Sequence, residues 1–422
     1  MKILFTNATS VKGGAARAAH RVFSAIKGLG ADITYLVEKK LDFQDDILDM
    51  KHHFLHEKYL KVIYRLEQRK IRLHRKPATR FWSTAELNRF HLSALLRHKP
   101  DIVHLNWVND TFLSIDEIAR IKVPVVWTFH DMWAFTGGCH YAGDCKNYTK
   151  GCGNCPLLLK PSLYDISRLS FLKKLKSWNN IDLTLVCPSN WMADMARESE
   201  MFRNHRIEVI PNPVNIELYK SMRNSTPDIK KPFKPGKIKL LFGAVNSLSD
   251  ERKGGKLLLE ILKIIKNQSS GIISKENIEL LVFGADKSEE IDALSFDTRY
   301  MGYVKDEKVL SEIYAAADLF LVTSKEDNLP NTVMESLACS TPVVAFDVGG
   351  ISDMVEHKVN GYLAKSFNVV DYVNGIKYLL NSDGHQRLSE FSDNARRKIE
   401  TAFAEEIVSK KHMDLYNDLV KI

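Results

Sequence analysis

A chain of 422 residues, 45% hydrophobic and 27% charged, is longer than one hydrophobic core ordinarily organises and predicts two domains. It has no low-complexity tract and no apolar run of the roughly 18 residues that a membrane span needs, which excludes disordered and polytopic membrane classes. The net charge of +8 is concentrated, because residues 51–80 hold ten Lys and Arg against two acids and the remainder sums to zero.

The opening "MKILFTNATS" reads as a first β-strand rather than a secretory leader, so a cytoplasmic protein is expected. In "NATSVKGGAARAAHRV" the pair Gly13-Gly14 lies between that strand and a helix of small residues. Many strand–helix turns need such a glycine for steric reasons alone. In residues 51–80, Leu55, Tyr59, Val62, Leu66 and Leu73 recur at helical spacing, which predicts an amphipathic basic helix. A solvated face is one reading, and a surface that meets anionic lipid or a lipid-diphosphate acceptor is the other. Nucleic acid is not expected, since no aromatic–basic interleaving or DNA-binding motif accompanies the charge.

Short β-type runs alternate with helical stretches along the chain. They are "KILFTNA", "DITYLVE", "DIVHLNW", "VPVVWTFH", "LTLVCPS" and "IEVIPN", then "KIKLLFGA", "IELLVFGA", "RYMGY", "DLFLVTS" and "PVVAFDV". Continuous apolar strands between helices predict parallel sheets covered on both faces. Residues 220–237, with three prolines, have the composition of a linker. The expected division is 1–212, 213–398 and a terminal helix 399–422 that packs back toward the first domain. Ligands of such sheets bind at strand carboxyl ends, and the cleft between two facing domains is the natural place for one.

"VVWTFHDMWAF" ends a strand in His130, where a histidine points toward a ligand or serves only structure. Directly after it, "GGCHYAGDCKNYTKGCGNCP" places Cys139, Cys145, Cys152 and Cys155 within an insert spanning 137–156. Disulfides are unusual in a cytoplasmic protein. Four thiolates ending in C-x2-C suit a structural zinc, with ordinary reduced thiols as the alternative. Cys187 and Cys339 read as core.

In the second half, "LLFGAVNSLSDERKGGKLLLEIL" follows a strand, and its Arg252 and Lys253 before a helix place two cations where a diphosphate would sit. Surface cations capping nothing are the bland alternative. "DLFLVTS" leads through "KEDNLPN" into a helix starting near Asn331. Its unpaired N–H groups and partial positive charge suit hydroxyls or phosphates. Pro330 restricts the loop, and Glu335, about one turn into the helix, is placed to accept both ribose hydroxyls or to remain a solvated carboxylate.

The run "SKEDNLPNTVMESLACSTPVVAFDVGG" resembles the signature of retaining GT-B glycosyltransferases of the family-4 type, in which an acid, seven residues and a Glu bracket the donor loop. Here Asp327 is the acid at that spacing and Glu335 closes the motif. The family's first Glu is thus an Asp, Glu326 sits one residue early, and Asn328 and Leu329 replace an aromatic or Gly. The resemblance covers nearly the whole chain and is strongest over 240–365.

The resemblance implies two Rossmann-like, doubly wound α/β domains facing across a cleft, and a nucleotide-diphosphate sugar donor carrying UDP or GDP. It implies donor contacts from Gly14 (supported by Gly13), Arg252, Lys253, Glu326, Asn328, Leu329, Pro330, Asn331, Thr332 and Glu335. It assigns His130, Asp327 and Lys253 to the reaction centre. The family's Arg falls in "AVN" here, so Arg252 is expected to supply the second charge. No Asp-x-Asp occurs, so no cofactor is expected for catalysis, with cations and helix ends offsetting the leaving diphosphate. The implied acceptor is a saccharide or lipid-linked oligosaccharide of a bacterial surface polysaccharide, with the enzyme cytoplasmic or peripheral on the inner membrane face. A GT-B epimerase and a non-catalytic sugar-nucleotide-binding protein are the alternatives.

Overall fold

The computed structural model describes residues 1–11, 13–41, 46–50, 53–77, 81–220, 236–243, 250–268, 273–285, 287–380 and 384–420. Two compact units divide the chain, Met1–Asn212 with Val408–Ile422, and Pro213–Ile407. Most of the sequence linker at 220–237, and the "AVN" stretch, lie outside the described residues.

The first unit holds β1 (Lys2–Thr9), β2 (Asp32–Lys39), β3 (Ile47–Asp49), β4 (Ile102–Leu105), β5 (Val125–Thr128), β6 (Leu183–Cys187) and β7 (Arg206–Val209). They form one sheet in the order β3-β2-β1-β4-β5-β6-β7, and every pairing is parallel. The second unit holds β8 (Ile238–Gly243), β9 (Ile278–Phe283), β10 (Asp297–Tyr300), β11 (Leu319–Val322), β12 (Val343–Phe346) and β13 (Gly361–Ala364). Their order is β10-β9-β8-β11-β12-β13, again parallel throughout. The chain reverses its direction of winding at β1/β4 in the first sheet and at β8/β11 in the second. The loops leaving those strands therefore splay apart at the carboxyl edge and open a crevice.

The short edge strands β3 and β13 are absent from the apolar runs of the sequence. Leu48 and Asp49 of β3 are exposed, so that strand writes no continuous apolar run, whereas β13 is mostly buried and only four residues long. In the helix Gly255–Lys266, Leu258, Ile261, Leu262 and Ile265 are buried at spacings of three and four, so one face seals the second sheet. In the helix Gly14–Gly28, Ala16, Ala18 and Ala19 are buried against β1, and their small size lets the helix lie close. The helix Glu405–Val420 places Val408, Leu415 and Tyr416 in the cluster of Ile3, Phe5 and Tyr35. There the Tyr416 hydroxyl meets His104 Nδ1. Cys187 and Cys339 are both core.

The basic segment forms the helix Phe54–His74, but the stripe visible in the sequence is not its packing face. Leu60, Ile63, Glu67 and Ile71 are buried, whereas Leu55, Leu66 and Leu73 are 67%, 52% and 65% exposed, and Tyr59 and Val62 are exposed too. Glu67 is held inside by Arg89 at 2.6 Å. At 3.6 residues per turn, Lys58, Lys61, Arg65, Arg69 and Arg72 flank the exposed apolar stripe along one side. No helix among the described residues is long and apolar enough to cross a membrane.

Candidate functional site

In the second unit, the loops after β8 and β11 meet at the point where the winding reverses. Arg252 and Lys253 lie in a short turn, Glu251–Lys253, that the Asp250 carboxylate caps by accepting from Arg252 N. Gly254 then takes φ 73° and begins the helix. A Cβ here would lie 1.9 Å from the Thr323 carbonyl oxygen, so only glycine permits this approach. The two loops are tied by Thr323 Oγ1 donating to the Lys253 carbonyl (3.0 Å) and Lys325 N donating to the Arg252 carbonyl (2.7 Å).

Asp327 lies at the centre of this junction. Its Oδ2 accepts from Lys253 Nζ at 2.5 Å and lies 3.1 Å from Arg252 Nη1. Burial alone would raise its pKa, but Lys253 and Arg252 outweigh that and hold it below the usual carboxylate value. Arg252 Nη1 also donates to the carbonyl of Glu326 (3.1 Å), so the neighbouring acid contributes its backbone to the junction. Gly349 packs its α-carbon onto Asp327, where a Cβ would stand 1.9 Å from the Asp327 carbonyl oxygen. Glu326, Asp327, Asn328, Leu329 and Pro330 are all buried, so this loop is built as firmly as core.

The helix Asn331–Ala338 begins at Pro330 with no side-chain cap. Asn331 and Thr332 form its first turn, where backbone N–H groups have no partner within the helix. Glu335, 1% exposed, accepts from the Tyr314 hydroxyl at 3.1 Å through Oε2. Burial and the adjacent Glu335 carboxylate push the Tyr314 pKa well up, so the phenol stays protonated as the donor. A buried carboxylate fixed by a neighbour is positioned before ligand arrives, at a desolvation cost that a solvated helix acid would not bear.

In the first unit, three strand ends carry the residues of interest. Gly13 precedes the helix at φ 90°, and a Cβ on Gly13 or Gly14 would meet nothing within 4 Å, so the loop after β1 faces open space. After β4, Asn106 Nδ2 donates to the Thr6 carbonyl (3.1 Å), which fixes the amide so that Oδ1 faces His130 Nε2 at 3.1 Å. His130 therefore donates from Nε2. Burial lowers its pKa to about 4, with Asp131 opposing, so the imidazole is neutral at physiological pH. Asp131 is engaged elsewhere: Oδ2 accepts from His140 (2.7 Å) and the Trp107 indole (3.0 Å), and Oδ1 from Trp133 N (2.9 Å). His140 in turn meets Ser83 Oγ at 3.0 Å.

Sequence reasoning missed Asn106, Tyr314, Thr323 and Gly349. Asn106 carried a usable signal, a polar residue directly after the apolar run "IVHL" at a switch-point strand. Tyr314 sits mid-helix in "SEIYAAAD" with nothing local to mark it.

The family described as "Glycosyltransferase Family 4" matches residues 12–218, and "Glycosyl transferases group 1" matches residues 225–398. A candidate colanic acid biosynthesis glycosyl transferase of Escherichia coli K12 is 21% identical over 335 residues, covering 76% of this chain and 77% of that protein. Among solved structures, sucrose-phosphate synthase from Thermosynechococcus elongatus superposes with a TM-score of 0.70 at 14% identity, covering 99% and 98% of the two chains. Anabaena HepE in complex with UDP-glucose gives 0.63 at 14% identity, covering 99% and 100%. The two parallel sheets and these neighbours define a GT-B fold. The chain belongs to the group 1 and family 4 glycosyltransferases.

Proposed function

We propose that the chain moves a hexose-type sugar from a nucleoside-diphosphate sugar to a saccharide or lipid-linked oligosaccharide, with retention and without a catalytic metal, during synthesis of a bacterial surface polysaccharide. The observation that carries this reading is the junction of Lys253, Arg252 and Asp327 beside the uncapped start of the helix that bears Glu335. Two cations and a helix N-terminus suit a diphosphate, and a pre-set buried carboxylate one turn further suits a ribose diol. The Escherichia coli relative is named for colanic acid biosynthesis, and the HepE neighbour holds UDP-glucose. UDP-sugars are therefore the first donors to test, with GDP-sugars as the alternative.

In this scheme the bond from the anomeric carbon to the diphosphate oxygen breaks as the acceptor hydroxyl attacks from the same face. The departing oxygen takes the hydroxyl proton, so no enzyme base is required. Lys253 and Arg252 gain importance as the diphosphate acquires charge. His130, neutral and donating from Nε2 to Asn106, is assigned to the positive charge that develops on the sugar ring. Asp327 sets the two cations and orients the sugar.

A thermal-shift panel of UDP-, GDP-, ADP- and CMP-sugars on the full chain tests the donor. One nucleotide class should raise the melting temperature by several degrees at saturating ligand, and its diphosphate should be released in quantity only when acceptor is added. A flat response to the whole panel would remove the proposal, and release without acceptor would favour an isomerising or hydrolytic enzyme.

The helix Phe54–His74 supports a membrane-borne acceptor. Its exposed Leu55, Tyr59, Val62 and Leu66 lie beside a row of Lys and Arg, the pattern of a helix lying in a lipid interface. At about 1 kcal/mol per basic residue near an anionic surface, reversing Lys61 and Arg65 to Glu should weaken binding to anionic vesicles at least about tenfold. Flotation with anionic and with neutral vesicles reads this, and equal recovery on both would contradict peripheral attachment at the inner membrane face.

A further inference from the structure

The insert between β5 and the helix Ile166–Trp178 has no part in the transfer scheme, yet it contains the densest cysteine cluster of the chain. Cys139, Cys145, Cys152 and Cys155 all line one small cavity of about 20 Å³, together with Trp82 and Tyr148. That is room for a single ion or water and far too little for a sugar. None of the four forms a disulfide.

Three features at and around the cavity concern charge and strain. The N–H of Gly137 donates to Cys152 Sγ at 3.1 Å, although burial pushes that thiol's pKa up. Lys174 is 0% exposed, and its ammonium donates to the carbonyls of Trp133 (2.5 Å) and Thr136 (3.1 Å) and lies 3.6 Å over the Trp133 ring. Among the described residues no carboxylate forms an ion pair with it. A cation removed from water without a counter-ion is among the costliest arrangements in a protein. Finally, Gly151, Cys152, Gly153 and Asn154 take φ of 86°, 60°, 93° and 48° in succession. Two of these are non-glycine residues in the left-handed region, which persists where the surroundings over-determine it.

We propose that Cys139, Cys145, Cys152 and Cys155 bind one zinc ion as a structural tetrathiolate, with Lys174 as its buried counter-charge. Zinc binding displaces four thiol protons and leaves a cluster of charge −2, which the Lys174 ammonium half neutralises. Among the described residues no three His, Cys, Asp or Glu side chains stand as a ready-made ligand group, so the thiols must turn inward about their Cα–Cβ bonds to close the shell. The site would brace the reaction loop. Cys139 adjoins His140, which holds Asp131 at 2.7 Å and whose carbonyl accepts from Met132 N at 2.9 Å.

The test reads metal and not transfer, so it stands or falls independently of the proposed activity. The full chain, expressed with added zinc and purified without chelator, should hold about one zinc per chain by elemental analysis. The Cys152→Ser/Cys155→Ser variant should hold at least about tenfold less. Less than about a tenth of an equivalent in the parent chain, thiols found oxidised in pairs, or a full equivalent retained by the double variant would each overturn the proposal. Should the variant not fold, cobalt exchange into the parent chain decides. Thiolate-to-cobalt charge-transfer and tetrahedral d–d bands support the site, and their absence overturns it.

Discussion

Replacing Lys253 with alanine is expected to lower kcat/KM for sugar transfer by about 10²- to 10³-fold, the usual cost of removing one preorganised group that meets developing charge. The chain should remain folded, because Asp327 keeps Arg252 at 3.1 Å and is not left as an unpaired buried charge. The variant should lose affinity for nucleoside diphosphates while binding the corresponding monophosphate as well as the parent does. That contrast separates a diphosphate contact from general damage to the loop, which would weaken both. Calorimetric titration with the two nucleotides, alongside steady-state kinetics, reads it directly. If kcat/KM stayed within threefold of the parent value, the junction would be merely a structural ion pair.

His130→Ala should lower kcat by about 10²-fold with little change in KM, since the imidazole is assigned to charge that appears only as the sugar is transferred. Because burial holds its folded pKa near 4, His130 should contribute no inflexion to the kcat–pH profile around 6.5. Its effect on stability has the corresponding sign. The folded pKa lies below that of the unfolded chain, so this residue costs no stability above about pH 6.5. Stability falls as pH drops from there toward 4, because the unfolded chain takes up the proton first. Turnover of the variant within twofold of the parent would remove the catalytic role, whereas a wild-type rate inflexion near 6.5 that vanishes in His130→Ala would contradict the depressed pKa.

Much of the fold was legible because buried parallel strands state themselves as apolar runs. "DLFLVTS", "PVVAFDV" and "IELLVFGA" coincide with β11, β12 and β9, and the helix after the donor loop begins at Asn331, as expected. What the sequence hid is of two kinds. The amphipathic helix showed its stripe but not its orientation, and the packing face proved to be Leu60, Ile63 and Ile71, with the salt-bridged Glu67 among them. Partner assignments across long separations were equally invisible. The pairing of Lys253 and Arg252 with Asp327 spans more than 70 residues, and the Asn106–His130 bond needs two strands brought side by side. Spacing along a chain fixes neighbours within an element, whereas these contacts depend on which strands the topology makes adjacent. The Tyr314–Glu335 bond belongs to the same class.

The most direct measurement is the dissociation constant of the nucleoside diphosphate that the chain prefers, compared between the parent protein and Glu335→Ala by calorimetry. If the acid fixed by Tyr314 grips a ribose, the variant should bind at least about tenfold more weakly, as expected for a charged hydrogen-bond acceptor removed from a desolvated site. The 2′,3′-dideoxy form of that nucleotide should bind both proteins with similar affinity. Equal binding of the intact diphosphate by parent and variant would mean that the carboxylate serves only the core, and the donor site would have to be sought on other residues.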